Sequence, residues 1–198
     1  MRFASIAIGL MAIVVSVLLG ACAGLPGTPS GSSRVVHDEP VSPAAKKQYQ
    51  NALTLMRDNR LADAEQALKT MSRTYPDLSG PYGNLGIIYF RTNRVKQAID
   101  ALNQAIRLNP RPVYFNELGI IFRNQGEFEK ARESYSEALA VDQNYAPAQL
   151  NIGILYDLYL GEPNKALEHY RRYQSLLPKA DDDVSKWIFD LERQQKKS

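Results

Sequence analysis

Beyond residue 42 the apolar positions of this chain return in phase over a long period. The segments Gln48–Leu55, Tyr82–Tyr89, Phe115–Phe122 and Gln149–Tyr156 read QYQNALTL, YGNLGIIY, FNELGIIF and QLNIGILY. A large apolar residue followed by glycine recurs as Leu85-Gly86, Leu118-Gly119 and Ile152-Gly153, with Asn51-Ala52 as a degenerate first copy. Twelve or thirteen residues after each small residue stands Ala64, Ala98, Ala131 or Ala166. The next turns supply Leu68, Leu102, Tyr135 and Tyr170, then Met71, Ala105, Ala138 and Tyr173. Three copies finish on Pro76, Pro110 and Pro178, while the third has Gln143. The period is about 34 residues. One residue is lost near Arg111 and one is gained near Gly161.

Each copy carries two apolar stripes at helical spacing, separated by a break. The breaks contain Asn59, Asn93, Gly126 and Gly161, residue types that accept the left-handed conformation ending a helix. Each unit therefore reads as a helix, a tight turn and a second helix, and the fold class as all-α. A glycine inside a helix costs about 1 kcal/mol against alanine, so its return at one phase needs a packing reason. Gly86, Gly119 and Gly153 would let paired helices approach closely, with Ala98, Ala131 and Ala166 doing the same from the partner side. At the far end, Asp181-Asp182-Asp183 offers N-caps and negative charge to a helix start. Val184, Trp187, Ile188 and Leu191 then fall at i, i+3, i+4 and i+7, one stripe to close the last unit. Ser42-Pro43 supplies an N-cap and a preset first turn for the first helix.

The unit resembles the tetratricopeptide repeat in its length, its W/Y-x-x-L-G-x-x-Y first helix, its A-x-x-x-F-x-x-A second helix and its final proline. The resemblance covers residues 45–180 and implies a solenoid of about four helix-turn-helix repeats plus a C-terminal capping helix. The repeats run 45–78, 79–111, 112–145 and 146–180 within a domain of 43–180, followed by cap and frayed tail over 181–198. Stacked units of this kind form a right-handed superhelix whose first helices line the concave face. Repeats that cannot bury an apolar face alone need capped ends.

The N-terminal stretch has a different character. Phe3 to Leu19 are apolar except for Ser5, Gly9 and Ser16, and follow Arg2. At about 1.5 Å per residue this run would also serve as an uncleaved anchor across a core of about 30 Å. Its ending, Leu18-Leu19-Gly20-Ala21-Cys22, favours a secretory signal over 1–21 cleaved after small residues. Leu19-Gly20-Ala21-Cys22 resembles the bacterial lipobox, and the sole cysteine of the chain stands where that motif needs its thiol. The resemblance implies diacylglycerol on Cys22 and a third acyl chain on its amine. Two membrane signals already make anchoring stable. By the sorting rule of such lipoproteins, Ala23 in place of aspartate points to the outer membrane facing the periplasm. Residues 22–42, rich in Gly, Pro and Ser, read as a lipidated flexible tether with a reach of about 25 Å.

Composition narrows the chemistry. Lys+Arg 24 against Asp+Glu 21 leaves +3, too small a field to argue for nucleic acid. Two histidines, His37 and His169, and one cysteine exclude an internal disulfide framework and a Cys/His zinc site. With no strand pattern there is no phosphate-cradling loop after a strand. No catalytic set, metal or cofactor is predicted.

Function is expected on the concave face. The candidate peptide-groove residues are Tyr49, Gln50, Arg57, Asn84, Ile87, Phe90, Arg91, Asn116, Arg123 and Asn151. Gln50, Asn84, Asn116 and Asn151 recur at nearly one level and suggest an amide ladder, each rung offering donor and acceptor to a peptide unit. Asn84 and Asn151 are similar in position to the Asn ladder of O-GlcNAc transferase repeats, while Glu117 takes the third rung and Asn116 stands one residue early. Arg57, Arg91 and Arg123 recur below and would favour acidic segments. The two-carboxylate clamp of chaperone-binding repeats is absent, because Tyr49 and Leu53 occupy its positions. The expected role is a membrane-anchored, non-catalytic scaffold for protein or peptide segments of an envelope complex, such as pilus or secretin biogenesis or peptidoglycan and division coordination. A permanent subunit of an envelope transport or energy complex is the alternative class, and an envelope enzyme the remote one.

Overall fold

The structure is a computed structural model that describes residues 42–196. The expected signal segment 1–21, the expected lipidation residue Cys22, the expected tether as far as residue 41 and residues 197–198 lie outside the described residues. The elements are α1 (Pro43–Arg57), α2 (Leu61–Thr74), α3 (Ser79–Arg91), α4 (Val95–Leu108), α5 (Pro112–Asn124), α6 (Phe128–Val141), α7 (Ala146–Leu155), α8 (Pro163–Ser175) and α9 (Asp182–Gln195). They form four helix pairs and a terminal helix, and no strand occurs among the described residues.

Local chemistry sets the boundaries. The Ser42 hydroxyl accepts from the Ala45 amide at 3.1 Å, ahead of Pro43 in the first turn. Asp181 caps α9 by accepting from the amides of Asp183 and Val184 at 3.0 and 3.2 Å. Asn59, Asn93, Gly126 and Gly161 all take positive φ, at 58°, 59°, 76° and 66°. After each of the first three, an amide reaches back five residues: Arg60 to Leu55, Arg94 to Tyr89, and Glu127 to Phe122. In the fourth repeat the reach is six, from Glu162 to Tyr156 at 2.9 Å. The residue gained near Gly161 is absorbed as a π-turn over Tyr156–Leu160 that continues α7, so the period slips without breaking the helix.

Each pair closes on its glycine. A Cβ on Gly86 would lie 2.6 Å from Leu102 Cγ, one on Gly119 2.4 Å from Tyr135 Cε1, and one on Gly153 2.7 Å from Tyr170 Cδ1. The surface that fills the gap is thus the large side chain one turn beyond the alanine. Ala98, Ala131 and Ala166 are fully buried beside it. That refines the expectation that the alanines themselves meet the glycines.

The first helices form one layer and the second helices another. Each first helix packs on its own partner and on the second helix of the preceding pair, and α3–α5 and α5–α7 also touch directly. No two second helices of the described residues come into comparable contact, so the first-helix layer is the tighter one and its outer surface is the concave face. Across the first junction Glu65 receives both guanidinium nitrogens of Arg94, at 2.5 and 3.0 Å. Arg94 holds that carboxyl down to about 2, with Lys69 helping and burial opposing. The open end of α1 and α2 keeps a cavity of about 520 Å³ lined by Gln48, Leu55, Ala67, Thr70 and Met71. In the second repeat the position of Gln48 is held by Tyr82, whose hydroxyl reaches back to the Ser72 carbonyl of the preceding helix at 3.3 Å.

At the other end Val184 and Leu191 are buried against the fourth repeat, with Trp187 and Ile188 packed partly buried beside them. The Trp187 ring lies 5.5 Å from that of Tyr170. Complete truncation of a core aromatic costs about 3–5 kcal/mol, and Trp187, being partly buried, should cost less. Contacts run between neighbours, so the damage should stay local. In Trp187→Ala, hydrogen exchange is expected to speed first in α8 and α9 while α1 to α4 keep their protection. Uniform loosening from Tyr49 to Tyr173 would contradict this.

Candidate binding face

The first-helix layer brings the ten sequence-selected groove residues onto one side, but it exposes them unequally. Gln50, Arg57 and Arg91 are exposed, and Phe90 and Arg123 are partly buried. Tyr49 and Ile87 are 2% and 5% exposed, and Asn84, Asn116 and Asn151 are 0%, 0% and 6% exposed. The amide ladder is therefore corrected: three of its four rungs do not face an open groove.

The reason is a contact made at one repeat's remove. Asn84 Nδ2 donates to the Tyr49 hydroxyl at 2.7 Å and to the Gly80 carbonyl at 3.0 Å. Asn151 Nδ2 donates to Asn116 Oδ1 at 2.9 Å. These amides tie α3 to α1 and α7 to α5, pairing polar groups that burial would otherwise strand, although Asn116 Nδ2 itself is buried without a partner. Gln50 stands at the same phase but has no preceding repeat among the described residues, so it stays in solvent. Tyr114 makes a seam of another kind. It lies over Gly83, where an added Cβ would sit 2.3 Å from its Cε1, and its hydroxyl is 2.8 Å from Ser79 Oγ. Glu117, at the third rung's phase, is 5% exposed and buried in the same layer. Nothing in a single repeat marks these residues; the signal is the pairing of positions 35 apart.

What remains open is apolar and basic. Partly buried Phe90 and Ile154 pack against the buried cluster that includes Ile120. Within the π-turn Leu158 and Tyr159 are 54% and 40% exposed, with Tyr159 tilted against Phe128 at 4.9 Å. The arginines differ in how they are occupied. Arg57 donates to Thr54 Oγ1 and Arg91 to Asn59 Oδ1, each at 2.8 Å. Arg123 Nη1 is sealed from solvent with no acceptor. The residue at its phase in the next repeat, Asp157, is engaged by the Tyr170 hydroxyl at 3.1 Å. Burial raises the Asp157 carboxyl above its ordinary value, the tyrosine bond opposing. Burial and the charge of Asp157 push Tyr170 far above an ordinary phenol, with Arg123 acting against them.

The described histidine has a structural setting. His169 Nδ1 donates to Gln149 Oε1 at 2.7 Å, and its ring stacks on Tyr156 with centroids 5.6 Å apart. Burial lowers its pKa, with Glu168 opposing. Gln149 in turn donates to the Gln143 carbonyl at 2.9 Å, a tie made in the copy that lacks the terminal proline. Among the described residues no group of three His, Cys, Asp or Glu side chains is arranged to hold a metal. The buried amides carry a stability cost when cut, since a stranded buried donor or acceptor costs about 1–3 kcal/mol. Asn84→Ala and Asn151→Ala are each expected to lower the urea unfolding midpoint by a loss of that order. An unchanged midpoint in both would return these amides to the solvent-facing role expected from the sequence.

Two segments match models of known repeats: residues 81–112 match the tetratricopeptide repeat and residues 119–158 a second TPR repeat model. The BBSome complex member BBS4 of Bos taurus is 35% identical over 86 residues, 43% of this chain, and the chain spans only 16% of that protein's length. A thermophilic TPR protein of Thermus thermophilus superposes with a TM-score of 0.64 at 25% identity, over 74% of this chain and 80% of that one. PilF of Pseudomonas aeruginosa shares the fold with a TM-score of 0.70 at 19% identity, over 78% and 70% of the two chains. The first TPR domain of Spaghetti, bound to an HSP90 peptide, shares it with a TM-score of 0.53 at 19% identity, over 58% and 90%. The helix pairs, their glycine-closed packing and these matches agree: the chain carries tetratricopeptide repeats, and its described part is the all-helical solenoid such repeats build.

Proposed function

We propose that this protein is a lipid-anchored scaffold of the cell envelope that holds a segment of a partner protein on its concave face. The coarser half of that reading rests on the repeats themselves, whose proteins are in general non-catalytic interaction scaffolds. The observation that carries the placement on the concave face is the surface left after the amides are spent. On the first-helix layer Phe90 and Ile154, packed against one buried cluster, and exposed Leu158 supply apolar surface, and exposed Arg57 and Arg91 and partly buried Arg123 supply positive charge. Apolar surface together with cations suits an extended or helical segment with apolar and acidic side chains. The structure of the Spaghetti repeats holds a peptide, which is a precedent for the use of the fold.

The envelope half of the proposal rests on the sequence motif Leu19-Gly20-Ala21-Cys22. Acylation at Cys22 would fix the solenoid to a membrane leaflet, with Ala23 favouring the outer membrane and a periplasm-facing domain. A tether reaching about 25 Å would let the groove search the space beside the membrane. Envelope assembly, such as pilus or secretin biogenesis or the coordination of peptidoglycan and division proteins, is the setting that matches this arrangement.

Both halves can be tested in cells. Labelled fatty acid is expected to enter the mature chain, and Cys22→Ser should abolish the labelling and change the mature mass. Labelling that persists in Cys22→Ser would sink the anchor. A photo-reactive residue at Phe90 is expected to crosslink one partner protein, identified by mass spectrometry, while the same residue at the exposed convex position Glu133 does not. Equal crosslinking from both would remove the concave face from the proposal.

A further inference from the structure

Among the described residues, α1 and α2 pack on each other and on α3 alone, and their outer side holds the cavity of about 520 Å³. Bonds in the second repeat show which positions face backward: Tyr82 reaches Ser72, Asn84 reaches Tyr49 and Arg94 reaches Glu65. Their counterparts in the first repeat are Gln48, Gln50 and Arg60, and exposed Asn51 stands at the phase of buried Leu85. The face is therefore not built like the seats that receive a second helix. Its cavity is lined by the amides of Gln48, Asn51 and Gln66 and by Thr70. Beside them lie partly buried Leu55 and Ala67 and buried Met71. A helix has already paired its backbone groups, whereas an extended segment arrives with N–H and C=O groups to satisfy. Primary amides offer a donor and an acceptor each. The lining thus suits an extended segment with a few apolar side chains.

The chain carries such a segment immediately ahead of α1. Arg34-Val35-Val36-His37-Asp38-Glu39-Pro40-Val41 follows a run of Gly, Pro and Ser and leads directly into Ser42. Pro40 disfavours a helical conformation at Glu39 and favours an extended one. The seven steps from Arg34 to Val41 span about 23 Å when extended, and the fifteen residues of α1 rise about 22 Å. Charge agrees as well. α1 carries Lys46, Lys47 and Arg57 and no acidic residue, while the segment carries Asp38 and Glu39.

We infer that residues 34–41 of this chain dock in extended form along the outer face of α1 and α2 and cap the open end of the solenoid. Side chains alternate along an extended segment, so Val35, His37, Glu39 and Val41 share one side and Arg34, Val36 and Asp38 the other. With the first set inward, Val41 falls level with Met71 and Val35 with Leu55. Glu39 then falls level with Lys47 and Gln48, and His37 with Asn51. Attachment to α1 gives the segment an effective concentration on the order of millimolar, which favours it over the same sequence on another molecule. With the anchor proposed above, docking leaves eleven residues, 23–33, as the free link, with a reach of about 18 Å. The inference itself needs neither lipid nor partner.

Hydrogen exchange on the full chain in detergent, with and without Cys22→Ser, tests the register. Val35→Asp is expected to speed exchange in α1 and α2 about tenfold or more, whereas Val36→Asp, the same change one residue on, leaves it at the wild-type rate. Exchange in α5 to α8 should not move in either. A covalent readout comes from Val35→Cys with Leu55→Cys in the Cys22→Ser chain, expected to form a disulfide within one chain under mild oxidation, since such a bond needs its Cα atoms within about 7 Å. Val35→Cys with Glu133→Cys should not close. If Leu55→Cys loosens the first pair, His37→Cys with the exposed Asn51→Cys replaces it. Equal effects of the two Asp variants, or none from Val35→Asp, overturn the inference. So does a failure of both disulfide pairs to close, or equal closure with Glu133→Cys. A disulfide that forms between chains at micromolar protein assigns the face to a second copy and also overturns it. All of these outcomes leave the concave-face reading as it stands, because no readout involves that face.

Discussion

The close approach of backbone and side chain at one phase of the first helix sets the terms for the whole domain. At Gly86, Gly119 and Gly153 the partner's Leu102, Tyr135 or Tyr170 occupies the volume that a methyl group would need. Interiors at crystal-like density do not yield to an added carbon without displacing something. That contact fixes the separation within each helix pair, and the pair separation fixes how the next first helix seats against its neighbours. Tyr135 and Tyr170 are fully buried or nearly so, at 0% and 1% exposure. The same tyrosine that closes the fourth pair then extends its hydroxyl to Asp157 on the inner layer. Packing and groove chemistry thus share atoms.

The architecture was legible because it is periodic, and the face was not because it depends on differences between periods. Glycine, alanine and turn residues return in register, so any one copy supports the others, and the left-handed φ at Asn59 and Asn93 follows from residue type and place. Gln50, Asn84 and Asn151 returned in register as well, with Asn116 one residue early, and that regularity pointed the wrong way. A polar residue recurring at a fixed phase fits recognition of a repeating ligand, but it fits a seam between repeats equally well. Single-copy periodicity cannot separate the two readings. What separates them is which residue stands 35 positions earlier: Tyr49 for Asn84, Asn116 for Asn151, and none for Gln50 within the described residues. Likewise Arg57 and Arg91 share a phase with Arg123 one residue early, while only the turn geometry around each decides which guanidinium is taken up locally.

The irregularity in the fourth repeat shows how one added residue is spent. The capping bond lengthens from five residues to six and the helix widens into a π-turn, so Leu155 keeps its buried place and the change falls on the residues after it. Leu158 and Tyr159 stand in solvent, as do the residues at their phase in the other repeats, Arg57 and Asp58, Arg91 and Thr92, and Asn124 and Gln125. Such widened turns recur at functional sites in helices, and here it lies beside the one repeat boundary where opposite charges, Arg123 and Asp157, share a phase without pairing.

The seams between repeats also carry information of a different sort. A phenol meets an amide at the first, a phenol and a serine lie across a glycine at the second, and two amides meet at the third. Each junction is chemically distinct, although the helices that meet there look alike. Exchanging two of these repeats would set Asn151 against Gly83, or Asn84 against Asn116, and bring together side chains that did not evolve as neighbours. The units are therefore not interchangeable beads. Their order along the chain is written in the polar contacts of the inner layer, much as a key is written in its cuts.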